Sequence, residues 1–116
     1  MDQVAADLRI AADKGYVPAQ YLLGAMYEDG RGVQQDYSEA ARWFLQAAEQ
    51  GHAEAQLCLG RFYRSGCGVP QSDAEAVHWC KKSAEQGNIE SQTYTGMLYE
   101  YGIGVVLNPE EAARWY

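Results

Sequence analysis

The sequence predicts an all-α fold, a right-handed α-solenoid of helix–turn–helix repeats. Three observations carry that expectation. Gly15, Gly51 and Gly87 are spaced 36 residues apart, and the last two each follow Ala-Glu-Gln. A second marker recurs as Gly30-Arg31-Gly32-Val33, Gly66-Cys67-Gly68-Val69 and Gly102-Ile103-Gly104-Val105. Between the markers, apolar residues return at helical spacing. A fixed period of this size describes stacked units, none of which can bury its apolar stripe without a neighbour.

One array is expected over residues 1–116. It divides into a half-repeat helix (1–15), repeat 1 (16–51), repeat 2 (52–87) and a truncated repeat 3 (88–116). In the half-repeat, Val4, Leu8, Ala11 and Ala12 lie at helical spacing, and Leu8 aligns with Phe44. In repeat 1, Pro18 suits a first helical turn, where a missing N–H costs nothing. Ala19, Leu23, Met26 and Tyr27 form the stripe of a helix ending near Asp29. The glycines that follow permit a tight reversal. Asp36 to Glu39 reads as a capping box, with Asp36 the N-cap and Glu39 reaching back. Ala40, Trp43, Phe44, Ala47 and Ala48 mark the second helix.

Repeat 2 returns these elements with Ala55, Leu59, Gly60 and Tyr63, a cap at Ser72 to Glu75, and Ala76, Trp79, Cys80, Ser83 and Ala84. Repeat 3 shows Ser91, Thr95, Gly96 and Tyr99, a cap at Asn108 to Glu111, and Ala112, Ala113, Trp115 and Tyr116. Gly24, Gly60 and Gly96 should let the two helices of a unit approach closely. Tyr27, Tyr63, Tyr99 and the tryptophans should fill the space between units. The last helix is cut short at Tyr116, so this end is expected to fray or to contact another molecule, self-association included.

Composition narrows the partners. Sixteen acidic residues against nine basic ones leave a net charge of −7. That is unfavourable for neutralising nucleic-acid phosphates or for docking on an anionic membrane, so neither is expected as a partner. Apolar runs are too short to span a bilayer. The N-terminus lacks the basic start and apolar core of a secretion signal. Cys58, Cys67 and Cys80 are odd in number and confined to one repeat, which suits free thiols in a reducing compartment. A cytoplasmic location is favoured on these grounds, with a periplasmic or secreted one left open.

The recurring Leu-Gly, Tyr, Gly-x-Gly-Val, Glu-Ala-x-x-Trp and Ala-Glu-Gln-Gly elements resemble the Sel1-like repeat, a subclass of the tetratricopeptide-like helical arrays. The resemblance covers nearly the whole chain at Leu23-Gly24, Tyr27, Gly30-Arg31-Gly32-Val33, Ala40, Trp43 and Ala47-Ala48 and their later copies. Thr95 for leucine, Cys80 for an aromatic and Asp7 for tryptophan are departures. The resemblance implies an adaptor or scaffold. A cysteine-rich branch of the family, for which β-lactam binding or hydrolysis has been suggested, would place its disulfide cysteines near Gln56 and Ala84, and neither is cysteine here. A spacer within a longer array is a further alternative.

Catalytic chemistry is not expected. The Gly-x-Gly turns lack the third glycine and preceding strand of a dinucleotide loop. Cys67, His78 and Cys80 match no metal spacing, and residues two apart on a helix point in different directions. Neither His52 nor His78 has an evident nucleophile beside it. No cofactor or metal is expected. Cys67, in a turn, is the thiol expected to react first, and a Cys58–Cys80 contact across two helices is conceivable.

The remaining surface is the groove that the first helices line in tetratricopeptide-like arrays. Carried over from that class, the groove positions are Tyr21, Ala25, Glu28 and Asp29, then Leu57, Arg61, Arg64 and Ser65, then Thr93, Met97, Glu100 and Tyr101. Residues 16–51 and 88–116 each carry net −3, whereas 52–87 is neutral. Arg61 and Arg64, one turn apart, are therefore expected either to grip an anion of a partner or to pair with Glu28 or Glu100. The partner is expected to be a protein segment or helix, with Tyr21, Leu57, Met97 and Tyr101 as anchors.

Overall fold

Helix capping and glycine placement build the chain's seven helices. The computed structural model describes all of residues 1–116. The helices are α1 (Gln3–Asp13), α2 (Val17–Asp29), α3 (Tyr37–Glu49), α4 (Ala53–Ser65), α5 (Asp73–Glu85), α6 (Ile89–Tyr101) and α7 (Pro109–Trp115). No strand is present. The stack is elongated, with extents of 48 × 24 × 18 Å. No helix is long and apolar enough to cross a membrane.

Each first helix ends on a left-handed glycine: Gly30, Gly66 and Gly102 have φ of 71°, 74° and 64°. The second glycine of each turn has a different task. A Cβ on Gly68 would run into the carbonyl of Tyr37, and one on Gly104 into that of Asp73. Both carbonyls belong to the first residue of the preceding repeat's second helix. The Gly-x-Gly pair thus combines a helix stop with an inter-repeat contact.

The second helices begin on side-chain caps. Asp36 accepts from the Ser38 and Glu39 amides at 3.0 and 3.2 Å. Ser72 accepts from Glu75 at 3.2 Å, and Asn108 from Glu111 at 3.1 Å. The expected return arm of the capping box does not form. The Asp36, Ser72 and Asn108 amides instead donate to the carbonyls of Tyr27, Tyr63 and Tyr99, at 2.9, 2.8 and 3.0 Å. Glu39 and Glu111 turn to Arg42 and Arg114. The N-cap amide is already used to tie each second helix to the end of the first.

The packing glycines behave as the sequence predicts. A Cβ on Gly24 would come within 2.8 Å of the Phe44 ring, and one on Gly96 within 2.8 Å of the Tyr116 ring. Phe44, fully buried, also meets Phe62 edge-on, with ring centroids 5.5 Å apart. Phe62 carries that contact across the boundary between α3 and α4. Trp43 packs with Ala12, Ala19 and Leu23, joining repeat 1 to α1.

A glutamine ladder adds polar seams. Gln20, Gln56 and Gln92 donate to the carbonyls of Ala12, Ala48 and Ala84 at 3.2, 3.1 and 3.2 Å. Gln50 and Gln86 donate back to Gln20 and Gln56 at 2.9 and 2.8 Å. The Ala12, Ala48 and Ala84 carbonyls also accept from the Gly15, Gly51 and Gly87 amides at 3.0 Å, so the glutamines fill their second acceptor site and tie the first helix to the end of the preceding second helix.

Candidate functional site

The first helices α2, α4 and α6 interact along one face, and those contacts define the groove. Arg61 on α4 lies 3.5 Å from the Glu90 carboxylate on α6. Arg64, one turn on, donates to the Tyr94 hydroxyl at 3.2 Å. Both guanidinium groups sit 5.8 Å from the Tyr94 ring centre, within cation–π range. Tyr94 is thereby held by two cations, and its neighbours form the walls of a slot. Arg61, Ile89, Glu90, Thr93, Tyr94 and Met97 enclose a cavity of about 590 Å³ open to solvent. Ile89 is 78% exposed at its edge.

On the α2 side, Tyr21 stacks on the His52 ring, with centroids 4.7 Å apart. Burial pushes the Tyr21 hydroxyl above its ordinary range, followed by Cys58, which ionises only in that same high range, and by the carboxylates Glu54, Glu28 and Glu90. Burial also raises the Glu28 carboxyl, Asp29 raises it further, and Arg61 works in the opposite direction. The Cys58 thiol is pushed up to about 12, first by burial and then by Glu28. It is therefore a neutral side chain in the floor of this face and no nucleophile at neutral pH.

The predicted groove residues separate. Arg61, Thr93 and Met97 line the slot, and Arg64 supports it through Tyr94. Tyr21 and Glu28 are half-buried on the α2 portion, and Tyr101 is exposed at the end of α6. Ala25 packs partly into the core and borders a separate depression with Val4, Leu8, Leu22 and Met26. Leu57 corrects the expectation: it is 1% exposed and packs with Val77, Cys80 and Leu98. A leucine there seals the seam with the next repeat, whereas its counterpart Tyr21 is long enough to reach out and stack on His52. Arg61 and Arg64 also choose partners other than those expected. Neither Glu28 nor Glu100 forms an ion pair with them; Glu90 and Tyr94 engage them instead.

Ile89, Glu90 and Tyr94 were not expected in the groove. The signal for Tyr94 is its register: it recurs one period after Cys58 and two after Leu22. That position is half-buried or exposed in all three repeats.

The structure offers no other chemical centre. No group of three or more His, Cys, Asp or Glu side chains is placed to hold a metal ion. All three cysteines are free thiols. Cys80 lies fully buried against Gly60, its thiol pushed up to about 12 by burial.

Comparisons with known proteins agree with the repeat fold. The Sel1 repeat family model matches residues 17–52, 53–88 and 89–116. No curated protein sequence matches the chain. Among solved structures, the chain is similar to c5321, a protective antigen present in uropathogenic Escherichia coli strains and displaying an SLR fold. The identity is 43% and the TM-score 0.92, over 94% of this chain and 23% of that one. A Sel1 repeat protein from Oxalobacter formigenes is 42% identical with a TM-score of 0.86, over 91% of this chain and 43% of the other. The chain thus spans about a quarter of the first relative and less than half of the second. Helicobacter pylori cysteine rich protein B shares the fold at 23% identity and a TM-score of 0.73, over 97% of this chain and 86% of that one. Repeats of this kind generally serve as protein-interaction scaffolds. With three matched repeats covering most of its length, the chain belongs to the Sel1 repeat family.

Proposed function

We propose that this chain is a non-catalytic scaffold that binds an extended segment or helix of a partner protein along the face of α2, α4 and α6. The observation that supports it best is the slot beside Tyr94, where exposed Ile89 and half-buried Met97 lie next to an aromatic ring fixed by two arginines. Aromatic and arginine side chains dominate interface energetics, and a pre-positioned ring loses little entropy on binding. Met97 and Tyr94 anchor the partner in the slot, with Thr93 and Arg61 at its edge. Tyr21, Ala25 and Glu28 extend the face toward α2, and Tyr101 continues it past the end of α6. Arg61 and Arg64 retain N–H donors for the partner's carbonyl groups.

A library of random 15-residue peptides selected on the protein tests this. Selected peptides should bind Met97→Glu at least about 10-fold more weakly, roughly 1.4 kcal/mol. Lys82→Glu, on the exposed side of α5, should leave their affinity unchanged. Equal binding to native protein and Met97→Glu would refute the groove as the site.

A further inference from the structure

The electrostatics of the groove specify the chemistry of its occupant. The slot itself is lined by Ile89, Tyr94 and Met97 and takes an apolar side chain. Around it, helices α2, α4 and α6 carry Glu28, Asp29, Glu54, Glu90 and Glu100 against Arg61 and Arg64 alone. The two arginines offset these five acids only in part, leaving a net charge of −3 on the three helices. Arg61 is paired with Glu90, and Arg64 is turned onto Tyr94. Glu28 and Glu54 have no basic partner. Glu54 accepts from the side chain of Asn88, the residue before Ile89, at 2.7 Å, which places it beside the slot, and Glu28 is half-buried near the end of α2. The face around the apolar slot therefore carries a net negative charge.

We propose that the groove takes a basic amphipathic peptide segment, with an apolar side chain in the slot beside Tyr94 and lysine or arginine side chains over Glu54 and Glu28. This rests on the scaffold reading above and adds the partner's chemistry to it. An acidic segment would meet this net negative face, on which Arg64 is the one arginine without a carboxylate partner. A basic one meets complementary potential, which chiefly raises the association rate and rejects wrong partners.

Three synthetic peptides with one shared apolar pattern, and Lys, Gln or Glu at the remaining positions, test the inference by fluorescence anisotropy. The Lys peptide should bind at least about 10-fold more tightly than the Glu peptide in dilute buffer. Its advantage should shrink as salt rises to roughly 0.3 M, because exposed charges are screened. In the Glu28→Gln/Glu54→Gln variant the Lys-to-Gln affinity ratio should fall toward one. A Glu peptide that binds as tightly as the Lys peptide, or a Lys advantage that survives the double variant, overturns the inference. If charge makes no difference but Met97→Glu abolishes binding of the Gln peptide, the charge inference falls while the groove reading stands. Binding by none of the three overturns the inference, and the random library then decides the groove reading separately.

Discussion

Gly60 on α4 lies directly against the Sγ of Cys80 on α5, so that a Cβ at residue 60 would overlap the sulfur. The equivalent glycines face the rings of Phe44 and Tyr116. Repeat 2 therefore keeps the close helix approach but fills the space with a smaller, buried side chain.

Gly60→Ala should destabilise the array by about 1–3 kcal/mol, the usual cost of overpacking a close-packed site. Alanine's better helix propensity offsets up to about 1 kcal/mol of that. In a Cys80→Ala background the penalty should shrink markedly, because the sulfur that collides with the new methyl is gone. Urea unfolding of the two single variants and the double variant reads this coupling. Equal penalties in both backgrounds would contradict the Gly60–Cys80 contact.

The two glycines of a turn should differ in sensitivity. Gly66→Ala forces a left-handed alanine, costing about 1–2 kcal/mol. Gly68→Ala adds a collision with the Tyr37 carbonyl, a backbone group that moves only if the repeats separate. It should cost at least about 1 kcal/mol more than Gly66→Ala, as overpacking does. Unfolding midpoints of the two variants measured side by side check the ranking.

That ranking also marks how far the sequence could be read. The period, helix ends and packing glycines were legible because a glycine that recurs in register has few reasons to do so other than a left-handed or crowded site. The second glycine's inter-repeat role was not, since it depends on how units stack. Gln20, Gln56 and Gln92 also recur with the period, yet a polar side chain reads as surface until its buried carbonyl partner is seen. Arg61, Thr93 and Met97, placed by register with a related class of array, line the slot. Leu57 failed because that register does not say whether a side chain reaches solvent or seals a seam. Tyr94 was missed because its part comes from two arginines on a different helix.

Gln56 is 4% exposed and holds both the Ala48 carbonyl and the Gln86 amide. Gln56→Leu should cost about 1–3 kcal/mol, the loss of two hydrogen bonds at about 0.5–1.5 kcal/mol each. Gln92→Leu should cost less, because Gln92 is less buried and its side chain bonds only the Ala84 carbonyl. Thermal or urea unfolding distinguishes the two. A neutral Gln56→Leu would remove the ladder from the account of stability.

His52 caps α4 through Nδ1, which accepts from the Ala55 amide at 3.1 Å. That bond requires the neutral ring. Burial lowers its pKa below the ordinary 6.5, although Glu54 acts in the opposite direction. The unfolded chain therefore binds more protons than the native one just below that ordinary value. His52's contribution is fully present above the unfolded pKa and is lost as pH falls through the lower folded value. His52→Asn preserves a capping acceptor, as Asn88 does at the equivalent position of α6. It should flatten this part of the stability profile between about pH 7.5 and 5 relative to native protein. Identical slopes for both proteins would contradict the assignment.

The most direct measurement of the groove is an amide chemical-shift titration of isotope-labelled protein with one library-selected peptide. Shifts should concentrate on α4 and α6 around Arg61, Ile89, Tyr94 and Met97, with a weaker set near Tyr21 and His52. Shifts centred on the outer faces of α3 and α5, with the Tyr94 region unmoved, would contradict the proposed interaction face.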